Sequence, residues 1–258
     1  VMQKNSTANI LLVALIICIA CSVIVSAAAV VLRPMQVANK ALDQKVNILQ
    51  VAGLWQQDQT VEQMFTNIET RLIDIEDGEY SQLFAQDEFD QRQAAKDAQL
   101  SIALTKEQDI ANINRRENYA KVYLVKEQDQ VVRYVFPVHG YGLWSTLYGY
   151  VTLESDLNTI YAIKFYDHKE TPGLGGEVDN PRWQAQWQGK KLFDPEGAVA
   201  FQVKKGNVQA NDVRAQYQVD GLSGATLTSN GVTNMFHFWM GENGYQKFIQ
   251  RHADMEDV

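Results

Sequence analysis

A single membrane-spanning helix followed by an α+β domain is the architecture this sequence predicts, on three observations. Residues 10–32 carry no charge, the hydrophobic period changes to two after Asn118, and an apolar helical stripe follows a turn of small residues near the end. Of 258 residues, 46% are hydrophobic and 21% charged, which excludes a disordered or fibrous chain and leaves enough apolar side chains for a sizeable core. The formal net charge is −8, from 31 acidic and 23 basic residues. No basic stripe is left to neutralise phosphates, so no nucleic acid is expected as a partner.

The run Ile10–Leu32 is 23 residues long, and its clearly polar members are Ser22 and Ser26. A helix of that length crosses a hydrocarbon core of about 30 Å. A signal peptide has an apolar core of roughly 7–15 residues, so the longer run reads as an uncleaved single-pass anchor. Lys4 lies on one side of it and Arg33, Lys40 and Lys45 on the other, and these cations do not set an orientation. Cys18 and Cys21 both fall inside the span and no cysteine follows. The rest of the chain therefore has neither a disulfide framework nor thiol chemistry.

Residues 1–9 form a short tail, 33–118 a mainly helical membrane-proximal region, and 119–258 the α+β domain. Pro34 ends the apolar run, and Val37, Leu42, Val46 and Leu49 resume a helical period. Thr60 and Gln63 are spaced as a capping box for a short helix carrying Val61, Met64, Phe65 and Ile68. Seven acids between Asp74 and Asp90, with no Lys or Arg among them, read as a solvated face. Tyr119–Val125 and Val131–Val138 alternate as strands around a turn at 127–130, and Leu147–Leu153 and Ile160–Tyr166 are two more. A turn is expected at 204–207. A helix beginning around Thr226–Ser229 carries Val232, Met235, Phe236, Trp239 and Met240, and a last short helix follows Asn243.

Three segments carry residues suited to holding a ligand. Gly140–Ser145 (GYGLWS) offers Gly142 for close backbone approach and Trp144 for stacking on a flat ring. His168–Gly176 (HKETPGLGG) combines Glu170 and Thr171 with a turn in which Gly173, Gly175 and Gly176 free backbone N–H groups around Leu174. His168 is a candidate acid or base, whereas the four histidines at 139, 168, 237 and 252 lack metal-ligand spacing. Asp220–Thr226 (DGLSGAT) puts Ser223, Gly224, Ala225 and Thr226 at the start of a helix, where hydroxyls serve as caps and an anion is favoured. Each segment also reads as an ordinary turn.

The segment DGLSGAT resembles the D-G-x-S-G-A-T motif of the FMN-binding domain family, and GYGLWS and ETPGLGG resemble segments of membrane redox subunits in that family. The resemblance implies an α+β FMN-binding domain whose FMN is covalent, joined to Thr226 by a phosphoester that a flavin transferase makes. It implies further flavin contacts from Ser223, Gly224, Ala225, Gly142, Trp144, Glu170, Thr171, Gly173, Leu174 and Gly175. It also implies an extracytoplasmic, periplasmic domain on a bacterial inner membrane. Five partner subunits would complete a complex that couples NADH oxidation and quinone reduction to sodium export, with this chain as an electron relay. A G-type flavin subunit of an Rnf-like complex and a non-redox sensor or assembly module are the alternatives.

Overall fold

The computed structural model describes residues 7–209 and 211–256. Among these residues the chain forms six α-helices and ten strands and divides into two compact units at Lys45/Val46. The described residues of the first unit, 7–45, are all helical. Helix α1 runs Thr7–Val51, and every large apolar side chain from Ile10 to Leu32 is exposed. Among the described residues it is the one helix long and apolar enough to cross a membrane. Pro34 lies inside it, so the proline costs one backbone hydrogen bond without ending the helix.

The second unit is built on a six-stranded antiparallel sheet in the order β2–β1–β5–β6–β7–β8. These strands are β1 (Ile68–Asp74), β2 (Tyr80–Ser81), β5 (Tyr119–Glu127), β6 (Gln130–Tyr141), β7 (Thr146–Glu154) and β8 (Ile160–Asp167). Two small pairs accompany it: β3 (Ser101–Ala103) with β4 (Arg115–Glu117), antiparallel, and β9 (Gln202–Lys204) with β10 (Gln218–Asp220), parallel. The remaining helices are α2 (Val61–Phe65), α3 (Gln91–Ala94), α4 (Pro181–Ala185), α5 (Thr226–Met240) and α6 (Gln246–Glu256).

Strand alternation sorts the core onto two faces. Val122, Leu124, Phe136, Val138, Val151, Leu153, Ile163 and Phe165 share one cluster with Val232, Met235, Phe236 and Trp239 of α5, Phe248 of α6, and Trp183 and Trp187. Tyr123, Val125, Val135 and Tyr150 point the other way and meet Ile48, Leu49, Val51, Ala52 and Met64. The helix α5 thus buries the stripe that the sequence displays. The capping box of α2 forms as its spacing predicts, with Thr60 accepting from the Gln63 N–H and Gln63 accepting from the Thr60 N–H. The β5–β6 hairpin turns on Gln128 and Asp129, at φ 51° and 65°, the two positive values a tight two-residue turn demands.

Residues 33–118 are not mainly helical, which corrects the expectation. Beyond Val51 that stretch holds the two short helices α2 and α3, while β1 lies inside the main sheet, paired along its whole length with β5. Ile68 opens that strand and is not part of α2. Of the acids between 74 and 90, Asp74 and Asp77 each accept the N–H two residues on, Asp90 caps α3, and Glu76 and Glu79 pair with Arg116, Lys247 and Arg251.

One seam in the sheet sets the position of the 142–145 turn. Strand β6 pairs with β5 only up to Val135, and beyond that point it pairs with β7 alone. Side chains take the place of the missing neighbour. The Tyr245 hydroxyl donates to the Pro137 carbonyl at 2.7 Å, and Trp239 Nε1 donates to the His139 carbonyl at 2.7 Å. Replacing Tyr245 with phenylalanine is expected to strand the Pro137 carbonyl and lower stability by about 1–3 kcal/mol, read by chemical denaturation. An unchanged midpoint would show that the seam does not depend on this contact.

Candidate functional site

The far end of β6 delivers the chain to the turn at residues 142–145, closed by a 2.9 Å bond from the Gly142 N–H to the Ser145 carbonyl. After β8 the chain enters the loop 168–176, held at its start by His168. Its Nδ1 accepts the Glu170 N–H at 3.2 Å and its Nε2 pairs with Asp179 Oδ2 at 2.8 Å. With Nδ1 accepting, the proton sits on Nε2, facing the carboxylate. Both ring nitrogens serve the loop, so His168 braces it. The Lys169 N–H donates to Ser145 Oγ at 2.7 Å and ties this loop to the 142–145 turn. His237 is likewise structural, bonded through Nε2 to the Phe201 carbonyl at 2.9 Å.

The third segment leads from β10 into α5. Asp220 anchors it: Oδ1 accepts the Val208 N–H at 2.6 Å, Oδ2 accepts Gln186 Nε2, and its carbonyl accepts Trp183 Nε1. Gly224 sits at φ +71°, a left-handed conformation that side chains resist, and this turns Thr226 outward as the first residue of the helix. The expected hydroxyl cap is not made. Ala225 occupies the capping position, no side chain caps the helix start among the described residues, and its first turn holds no acid. The unpaired N–H groups of that turn leave a positive end directed outward.

Burial separates the four hydroxyls of this segment. Ser223 and Thr226 are exposed, whereas Thr228 and Ser229 are buried. Ser229 Oγ accepts the Leu222 N–H at 3.1 Å, and Thr228 Oγ1 donates to Glu170 Oε2 at 2.8 Å.

Glu170 draws all three segments together. It is 5% exposed, and beside Thr228 it accepts the backbone N–H groups of Leu143, Trp144 and Ser145 at 2.9–3.2 Å. Two glycines make room for it. A Cβ on Gly142 would lie 2.7 Å from Glu170 Oε1, and one on Gly175 would lie 2.7 Å from Oε2. Trp144, Leu143, Leu174 and Leu227 stand exposed on the joined segments, with Trp144 at 65%. Thr171 and Gly173 are exposed as well, while Gly175 and Ala225 are buried. Gly224 approaches Leu174, whose Cδ2 lies 2.9 Å from the site of a Cβ. The sequence gives no role to Leu227, and it offers Thr228 only as a hydroxyl near the helix start, not as the partner of Glu170. Leu227 lies off the apolar stripe of α5, and that mismatch was the available signal.

A separate cleft of about 500 Å³ beside β8 is lined by Asn47, Lys164, Phe165, Tyr166, Asp167, His168, Asp179 and Gln184. It contains neither Thr226 nor the exposed apolar group.

An uncapped helix start beside exposed aromatic and aliphatic side chains suits a phosphate joined to a flat ring, and the FMN-binding domain family model matches residues 142–241, from the β6–β7 turn to the end of α5. The module is that of a flavoprotein. Over nearly its whole length the chain is 48% identical to the C subunit of the Na(+)-translocating NADH-quinone reductase of Pseudomonas aeruginosa, across 253 residues and 96% of each chain. It is 49% identical to the same subunit from Vibrio alginolyticus, across 92% of this chain and 91% of the other. The crystal structure of Shewanella oneidensis NqrC superposes with a TM-score of 0.77 at 35% identity, covering 84% of this chain and 99% of that one. The structure of the corresponding subunit from Parabacteroides distasonis superposes with a TM-score of 0.63 at 30% identity, covering 84% and 96%. The chain belongs to the NqrC family, the C subunits of the Na(+)-translocating NADH-quinone reductase, and is a component of a multi-subunit membrane complex.

Proposed function

We propose that this chain is the electron-relay subunit of that complex and carries FMN joined to Thr226 through a phosphoester. The supporting observation is the sorting of hydroxyls at the start of α5. Thr228 and Ser229 are buried and engaged, whereas Thr226 is exposed at the uncapped helix end. On the flavin transferase, Thr226 Oγ1 would give up its proton and attack the phosphorus of an activated flavin nucleotide, and the bond from that phosphorus to the donor's leaving group would break. The FMN phosphate would then face the N–H groups of the first turn.

When bound, FMN supplies the reversible uptake and release of electrons. The protein supplies tether, orientation and environment. Thr226 and the backbone from Ser223 to Ala225 would hold the phosphate end. Trp144 and Leu174 would pack against the ring faces, with Gly142, Thr171, Gly173 and Gly175 offering backbone at its edge. In this reading α1 is a single-pass anchor in a bacterial inner membrane, and the domain that follows lies on its extracytoplasmic side. Five other subunits supply NADH oxidation, the sodium path and quinone reduction, so that electron flow drives sodium export. A flavin transferase matures the chain.

Peptide mass analysis of the protein, expressed in membranes together with the flavin transferase, tests this reading. An FMN-sized adduct is expected on the peptide containing Thr226. An unmodified peptide would refute it.

A further inference from the structure

We propose that Glu170 is a positioning residue for the flavin: its buried carboxylate fixes the turn that carries Trp144 against the first turn of α5. This rests on the reading of Thr226 as the flavin tether.

A carboxylate has about four lone-pair sites, and here the protein fills them. Oε1 gathers the N–H groups of Leu143, Trp144 and Ser145, and Oε2 takes the Thr228 hydroxyl and a share of the Leu143 N–H. None of these donors is a cation, and among the described residues Glu170 joins no salt bridge. A buried anion satisfied by backbone donors specifies a turn closely, because each donor left unpaired costs free energy. Its acceptors point at the turn and at Thr228, so Glu170 acts on a ligand through these groups rather than by direct contact.

The turn needs such a brace. Trp144 is 65% exposed, so little packing holds its ring, and Glu170 reaches its backbone at 2.9 Å. Thr228 lies two residues beyond Thr226 in the same first turn. One carboxylate therefore joins the segment bearing the tether to the segment bearing the aromatic ring. Gly142 and Gly175 are the positions where any Cβ would displace it. The negative charge has a second consequence. A fixed anion without a cationic partner would disfavour added electrons on a flavin bound nearby and hold its potential down.

The test uses the full chain in membranes with the flavin transferase, comparing E170A, E170Q and T228V with the unaltered protein. Adduct mass at Thr226 is read first, and its absence from the unaltered protein defeats the tether reading itself. With adduct present, E170A is expected to lose most of the visible circular dichroism and fluorescence anisotropy of the flavin. T228V, which breaks one bond of the brace, should lose part of both. E170Q keeps an acceptor for the turn and removes the charge, so it should largely retain the dichroism while the midpoint potential rises. A folded E170A with unaltered dichroism, anisotropy and potential would overturn the proposal. If E170A does not fold, unaltered dichroism and anisotropy in T228V together with an unaltered potential in E170Q would overturn it.

Discussion

Thr226→Ala is expected to yield a folded, membrane-inserted chain without covalent flavin, in a complex that no longer carries electrons from NADH to quinone. The side chain is exposed and makes no cap, so its removal leaves packing untouched and costs the fold well under about 1 kcal/mol. All the loss should therefore appear in function. After denaturing electrophoresis, in-gel fluorescence under ultraviolet light distinguishes the outcomes, because only a covalent flavin survives. Thr226→Ser keeps the hydroxyl at the same helix end and is expected to recover part of the adduct. Full quinone reduction by the alanine variant would refute the relay reading.

The second large effect concerns pH and two side chains, Glu117 and His139. Glu117 of β4 is fully buried; Gln91 Nε2 donates to its Oε1 at 2.6 Å, and among the described residues Oε2 has no partner. Burial pushes its carboxyl up from 4.5 to about 7, against the smaller pull of the Gln91 bond. The folded chain then takes up this proton more readily than the unfolded one. Stability from Glu117 is full below pH 4.5 and is lost as pH rises through 7, amounting to roughly 3 kcal/mol.

His139 works in the opposite sense. Its ring lies against Tyr148 and Trp239, and burial, aided by the Arg92 charge, pushes it from 6.5 down to about 4. It must stay neutral in the folded chain, so its contribution is present above pH 6.5 and is lost as pH falls through 4. Between pH 4.5 and 6.5 the two slopes oppose each other. Glu117→Gln is expected to be more stable than the unaltered chain at pH 8 and to lose stability steeply on acidification. His139→Phe should show the reverse slope. Chemical denaturation of the full chain in detergent across pH 4–8 reads both, and parallel curves for all three proteins would contradict this account.

Where local pattern carries the information, the sequence was a good guide. The strands between residues 119 and 167 are recognisable from their β-branched and aromatic residues even where both faces are covered, as at Val122–Val125, and α5 follows its stripe. Strand β1 escaped notice because Glu69, Thr70 and Arg71 interrupt its apolar residues, leaving only Leu72 and Ile73 adjacent, which enter different clusters. The strands β3, β4, β9 and β10 have three residues each, too few to show a period. At the site, the three segments were legible as turns, each set by its own glycines. Their union was not, since Glu170 meets Thr228 across 58 residues and its other donors are backbone groups, which leave no mark on side-chain identity.

The seam between β5 and β6 has a consequence for how the molecule comes apart. A ladder of backbone bonds opens residue by residue, whereas a strand sealed by Tyr245 and Trp239 is released when the helical end of the chain withdraws. The outer half of β6 is therefore expected to open only together with β7, its paired strand, and with α5 and α6, which amide hydrogen exchange reads. The turn bearing Trp144 and the helix bearing Thr226 both adjoin that group, so the proposed tether and the ring-bearing turn are expected to be gained or lost together.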